Sequence, residues 1–501
     1  MSLTLVPSAL VTRTDPRAGH REWIGLAVLT LPALLASMDL SVLFMAAPWL
    51  AADLAPTGPQ LLWIMDVYGF LMAGLLLAMG ALGDRIGRRR LLLAGATAFG
   101  VASVLAAYAP TAELLVLARG LLGVAGATLA PSTLALLRGM FADPGQRRIA
   151  IGVWTGAFTG GIAVGPIVGG LLLEHFWWGS VFLINVPVMA LLLVLGPVLL
   201  PESRDASGGR FDLVSALLST AAVLLVVHGV KELVHDGGGW LAMLAGLAFG
   251  AVFVRRQLRL PDPLIDVRLF RDGGFGAAFG GYVMMIVGSA GLGFLAVQYL
   301  QVVLELRPFT AALWQLPTVA ATGIGIAAAT TLVRWLRPAV LAGSALLVAA
   351  IGFLLVSQVG VDTTPATMMA AYSVVTLGTG MLVPLAIDLI VGAAPPERAG
   401  AAAGLSEAGS ELGGALGIAV LGSIAGAVFR NSFAAGDLPP AATETVASAV
   451  AAAEARPDAV AEALIASAQQ AFTTGFTTAA TIMATLLTIT AALVTVRLRR
   501  S

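Results

Sequence analysis

LLWIMDVYGFLMAGLLLAMGALGDRIGRRR, residues 61–90, is an apolar run of membrane-crossing length that ends in a knot of charge. At a rise of 1.5 Å per residue, the segment 61–82 can cross a hydrocarbon core about 30 Å thick. The knot after it, Asp84 among Arg85, Arg88, Arg89 and Arg90, marks where the chain leaves the apolar phase and turns back. One residue breaks the apolar rule inside the run. Asp66 is a carboxylate, and a charge at the centre of such a helix costs roughly 2.5–3.5 kcal/mol even on lenient insertion scales.

The remainder of the chain has the same character. Of its 501 residues, 58% are hydrophobic and 11% charged, whereas a soluble domain carries about 25% charged residues. Runs of membrane-crossing length recur almost throughout, so the expected fold class is an all-α polytopic membrane protein. The 58 glycines suit closely approaching membrane helices. Absence of cysteine excludes disulfides, thiolate metal sites and thiol nucleophiles. The single lysine, Lys231, follows valine and not glycine, so the chain has no phosphate-binding Walker loop. Four histidines (His20, His175, His228 and His235) form no ligand spacing, and a net charge of zero argues against a nucleic-acid partner. Neither an enzyme nor a metal site is expected.

Apolar runs between Gly, Pro and charge breaks predict fourteen spans, at 23–50, 61–82, 91–108, 112–136, 149–172, 179–200, 211–230, 240–254, 275–303, 310–333, 338–358, 366–391, 400–429 and 471–496. With the N-terminus inside, 23 of the 28 Lys and Arg residues fall in inner segments, four in outer loops, and Arg119 within a span. Cytoplasmic loops collect Lys and Arg, so the chain is expected in the cytoplasmic membrane with both termini on the cytoplasmic side. Residues 1–22 then form a cytoplasmic tail before a retained helix, and 497–501 a second short tail. The segment 431–470 is external and alanine-rich, with Pro457 and Asp458 suited to a helix start; two short helices or a loose tether both fit it.

GDRIGRRRLLLAG (83–95) and LVRWLRPAVLAG (332–343) resemble one another, with Arg85 and Arg88 matching Arg334 and Arg337. This faint repeat predicts a six-helix bundle over 23–200, a linker over 201–274 with two extra spans and a basic loop, and a second six-helix bundle over 275–496. Duplicated halves are a transporter signature, with the substrate site between them near the midplane.

GALGDRIGRRR (80–90) resembles the loop motif of the major facilitator superfamily. LLVLARGLLGVAGA (114–127) resembles its span-4 pattern, and GIAVGPIVGG (161–170) matches its antiporter motif at every defined position. WIMDVYGFLMAG (63–74), FLINVP (182–187), LPES (200–203) and ELGGALGIAVLGSI (411–424) extend the resemblance to 14-span drug:proton antiporters, in particular quaternary-ammonium and dye exporters. It covers residues 23–500. It implies multidrug efflux of lipophilic cations in exchange for protons, driven by the proton gradient with no cofactor, by a protein expected to be monomeric. It also implies that the Asp84 loop is a conformational latch, with Arg85 and Arg88, and that the fifth span limits leak. On their own, Gly161, Gly165 and Gly169 form one smooth helix stripe suited to close packing, and Pro166 removes a backbone hydrogen bond beside it.

Five acids lie within spans: Asp39, Asp66, Asp388, Glu407 and Glu411. Depth places Asp39, Asp66 and Arg119 in the outer half, where either an Asp39–Arg119 or an Asp66–Arg119 pair is possible. Glu411 follows Glu407 by one helical turn on the same face, and Asp388 sits near an interface. The resemblance implies proton or cation binding at Asp39, Asp66 and Glu407, and span 10 lacks the further acid of some relatives. A carboxylate in a low-dielectric cavity holds a proton more readily than an exposed one, and the ionised form attracts a lipophilic cation. Trp63, Tyr68, Trp154, Tyr299 and Trp314 are candidates for cation–π contacts. Alternative expectations are export of one endogenous metabolite or self-made antibiotic, and, further off, a non-transporting membrane sensor.

Overall fold

The structure, a computed structural model, describes residues 18–203, 212–260, 263, 267–392, 399–433, 443–454 and 456–500. Every regular element among them is helical. The first group comprises α1 (His20–Leu54), α2 (Gly58–Ile86), α3 (Arg88–Ala107), α4 (Ala112–Met140), α5 (Pro144–His175), α6 (Ser180–Leu183) and α7 (Asn185–Leu199). A pair follows, α8 (Leu213–Asp236) and α9 (Trp240–Gln257). The last group holds α10 (Gly273–Gln298), α11 (Pro308–Trp314), α12 (Leu316–Leu332), α13 (Pro338–Val356), α14 (Pro365–Gly392), α15 (Ala399–Ser432), α16 (Val446–Glu454) and α17 (Asp458–Arg500).

Twelve helical segments among the described residues are long and apolar enough to cross a membrane, so the chain is a multi-pass membrane protein. The fourteen expected from sequence include two outside that set. One is α5, in which Val164–His175 is the described apolar stretch. The other is the short α9, which ends in Arg255 and Arg256.

Boundaries follow local chemistry. Thr57 caps α2 by accepting from the Gln60 amide, with Gln60 returning the bond to the Thr57 N–H, a reciprocal box that satisfies two orphan donors. The α2–α3 break is Gly87, at φ 113°, a conformation that favours glycine. Two expectations need correction. Span 7 ends six residues later than the predicted Val230, so Lys231 is a buried helical residue and not part of an outer loop. Among the described residues of the segment 431–470, α16 is a separate short helix, and the helix expected near Pro457 runs unbroken from Asp458 through the last span.

Helix α1 packs on α5 and α2 on α4, while α10 packs on α15 and α17, and α12 on α14. The α8–α9 pair is held mainly through α8, which meets both α2 and α15. The two large groups meet along α2–α15, α1–α10 and α5–α11. Their contacts gather at the end remote from the termini. There Gln301 donates to the Met45 carbonyl at 3.1 Å, Phe44 meets Phe294 edge-on at 6.1 Å, and a Cβ on Gly170 would stand 2.7 Å from Phe309 Cα. Toward the terminal end, Val153, Thr155 and Gly156 of α5 are exposed, as are Asp388 and Glu407. The two groups are thus joined at the end remote from the termini, and the exposed residues lie toward the other, more open end.

Candidate functional site

The embedded charges separate into three arrangements. In the first, Arg119 of α4 pairs with Asp39 of α1, both side chains out of reach of solvent. Arg119 Nε also donates to the Ile64 carbonyl at 3.0 Å, and its guanidinium lies 4.8 Å from the Tyr68 ring and 5.9 Å from that of Phe182. Backbone, carboxylate and two rings thus anchor it. Arg119 selects Asp39, not Asp66, because Ile64 and Tyr68 share the α2 face toward α4 while Asp66 points toward α8.

The second arrangement is absent from the sequence reading. Lys231 Nζ of α8 stands 3.0 Å from Asp66 Oδ1 and 2.9 Å from Oδ2, with both side chains completely enclosed. The same ammonium lies 3.9 Å from the centre of the Trp63 ring. Phe70, Val227, Ala415 and Ala419 form a small apolar cluster beside it, between α2, α8 and α15. Asp66 therefore belongs to a seam with the extra helix pair, and the signal that could have found its partner was the identity of Lys231 as the only lysine.

The third lies on α15. Glu407 is exposed, whereas Glu411 is buried and close to α2: a Cβ on Gly69 would stand 3.9 Å from its Oε2. One turn of helix thus carries an acid in contact with the open side and an acid sealed between the two groups. Asp388 is exposed near the end of α14 and is not gathered with them.

Of the remaining aromatic candidates, Trp154 is half-buried, donates to Thr133 at 3.2 Å and stacks on Phe158. Tyr299 is buried elsewhere, bonded to the Gly360 carbonyl and packed on Phe476. Trp314 is half-buried at the end of α11. None of the three makes a described contact with the acids.

The glycine stripe on α5 faces α1. A Cβ on Gly161 would overlap Ser37 and the Leu34 carbonyl, and one on Gly165 would overlap Ser41. At Gly169 the same atom would meet Val42 at 3.2 Å, and Pro166 is buried beside it. In the 83–90 loop, the side chain of Asp84 lies outside the described residues; Arg85 is exposed and Arg88 starts α3. A second unforeseen residue organises this loop. Glu202, from the LPES stretch, accepts from the Arg89 N–H at 3.2 Å and lies 3.6 Å from Arg89 Nε and 3.8 Å from Arg90 Nε. Arg89 adds a bond to the Leu200 carbonyl at 2.9 Å.

Comparison with known proteins fits this architecture. The family model described as Major Facilitator Superfamily matches residues 29–418. The chain is 44% identical to the multidrug efflux pump LfrA of Mycolicibacterium smegmatis, over 86% of each chain. It is 35% identical to the methyl viologen resistance protein SmvA of Salmonella typhimurium, over 76% of this chain and 78% of that one. Among solved structures, a bacterial homologue of the human lysosomal transporter Spinster, inward-facing and unoccupied, aligns with a TM-score of 0.67 at 17% identity, covering 96% and 98% of the two chains. The chain belongs to the Major Facilitator Superfamily and is a membrane transporter, not an enzyme.

Proposed function

We propose that this transporter exports amphipathic organic cations, quaternary ammonium compounds and dyes among them, in exchange for protons. In this reading it works as a monomer in the cytoplasmic membrane with fourteen spans, α5 and α9 completing the set, and with both termini in the cytoplasm. It needs no cofactor beyond the proton gradient. Residues 23–200 and 275–496 are the two moving bundles.

The observation that carries the reading is the pair of acids on α15. Glu407 is reachable from the open end, and Glu411, a turn further, is sealed where α15 meets α2. A carboxylate at such a boundary takes either a proton or a cation, and competition between the two is sufficient for antiport. The names of the relatives, a multidrug efflux pump and a methyl viologen resistance protein, support an organic cation as the cargo. Charge balance favours monovalent cargo. Moving one charge across 100 mV costs about 2.3 kcal/mol; one entering proton offsets a leaving monocation, whereas a dication needs two.

The test is uptake into sealed proteoliposomes driven by a pH gradient, with ethidium, methyl viologen and unrelated neutral compounds as cargo. Ethidium-induced proton release that Glu407→Gln abolishes is the expected result. Transport of cations with no proton movement sinks the antiport reading. Indifference to every unrelated dye favours a transporter dedicated to one endogenous metabolite.

A further inference from the structure

We propose that Lys231 is a tethered cation: its ammonium occupies a monocation-binding box made by the Asp66 carboxylate and the Trp63 indole, and an exported organic monocation takes that box by displacing it. The inference rests on the export of cations proposed above.

The box has the chemistry of alkylammonium recognition. A carboxylate meets the charge at 2.9–3.0 Å, and an indole face lies 3.9 Å from it; the two combine charge-assisted and cation–π attraction in a site without water contact. Stability does not explain the pair. Exchanging a buried ion pair for packed apolar residues is often neutral or stabilising, because each ion loses its hydration.

The residue type also speaks for displacement. All other basic residues among the 28 are arginines. A guanidinium is a rigid fork that holds several acceptors at once, while an ammonium is a compact point charge on a flexible stem. The two buried pairs show the contrast within one molecule. Arg119 is anchored by a carboxylate, a backbone carbonyl and two rings. The contacts of the Lys231 ammonium are Asp66 and Trp63. Arg119, the other buried cation of this region, is already matched to Asp39.

The box is closed, but free space adjoins Lys231 on one side. Lys231 borders a cavity of about 60 Å³ shared with Leu61, Leu62, Gln298 and Ser423, and the Ser423 hydroxyl is buried there without a hydrogen-bond partner. The cavity lies along the α2–α15 seam, so parting of the two helix groups enlarges it. Asp66 and Trp63 do not line this cavity, so cargo reaches them where Lys231 borders it, as the ammonium is displaced.

Replacing Lys231 by alanine removes the equivalent of n-propylammonium, which makes a chemical-rescue experiment possible on the full chain in detergent. Lys231→Ala should lose thermal stability, n-propylammonium should restore it saturably, and ethidium should compete with that rescue. In Lys231→Ala/Asp66→Asn the rescue should vanish. Lys231→Arg, which keeps the charge and the ion pair, should fold with a wild-type melting temperature yet export ethidium at least tenfold more slowly in proteoliposomes. Absence of rescue, rescue that persists without Asp66, rescue indifferent to ethidium, or wild-type export by Lys231→Arg each overturns the tethered-cation role. None of these outcomes in detergent depends on a proton gradient. Failure of proton-coupled export in wild-type vesicles would therefore strike the broader reading separately.

Discussion

At the scale of single residues, burial makes each charge depend on its partner. Arg119 and Asp39 are enclosed together, and removing one member of such a pair costs about 3–5 kcal/mol because the other is left charged and dry. Arg119→Met should therefore lower the melting temperature of the purified protein strongly, and Arg119→Met/Asp39→Asn should recover most of the loss. A double variant no more stable than the single one would show that the backbone bond to Ile64 and the ring contacts carry the energy instead. The same logic alters how Asp66 is to be mutated. Asp66→Asn orphans Lys231, so lost export in that variant alone does not identify a cargo-binding acid. Sequence depth put Asp39, Asp66 and Arg119 in the same half of the membrane, but depth carries no information on azimuth around a helix. Azimuth is what assigns Arg119 to Asp39. Lys231 was hidden for a different reason: a six-residue error in one helix end moved it from a buried helix to an outer loop.

At the scale of elements, α5 offers a comparison within one helix. Gly165 has no room for a Cβ against α1, whereas Gly152, Gly156 and Gly160 have open space. Gly165→Val should destabilise by about 1–3 kcal/mol through overpacking and block export. Gly152→Ala should be neutral or stabilising by up to about 1 kcal/mol, since alanine is the better helix former. Equal effects of the two substitutions on melting temperature would refute the packing account. The stripe itself was legible from its spacing of four, because helical periodicity needs no tertiary knowledge; its partner, α1, was not.

The α8–α9 pair adds a test in pH. Burial opposes ionisation of Asp212, but bonds from Arg256 at 2.9 Å and from Ser215 outweigh it and hold this helix-capping carboxyl below its usual value. A lowered folded-state value means that the stabilisation is present above the unfolded value of about 3.9 and is lost as pH falls through the folded one. At a partly exposed site the contribution is under about 1 kcal/mol. Asp212→Asn should thus melt slightly below wild type at pH 7, and the gap should close toward pH 3. A gap that widens on acidification would contradict the assigned clamp. Helix starts such as Thr57 and Asp212 were within reach of sequence rules. The continuity of α17 from Asp458 was not, because its first turns carry Glu462, Gln469 and Gln470 and read as a polar external loop until the structure joins them to the span.

At the scale of the whole molecule, the two helix groups are clasped at the end remote from the termini and carry exposed residues, Asp388 and Glu407 among them, toward the other. Export requires that the clasp open, since cargo entering from the open end has otherwise no exit. Met45 and Gln301 hold the clasp from α1 and from the segment after α10, with the Gln301 amide on the Met45 carbonyl. The chain has no native cysteine, so a Met45→Cys/Gln301→Cys variant carries the only two thiols and can be bridged selectively, through two reducible disulfides, by a short bis-methanethiosulfonate. Bridging should halt pH-driven export of ethidium and leave ethidium binding from the open end intact, because the closed end is held in the state it already adopts. Reduction should restore transport, and each single-cysteine variant should be insensitive to the same reagent. If the bridged protein exports at the unbridged rate, export does not require α1 to part from the segment after α10, and the clasp is not a gate.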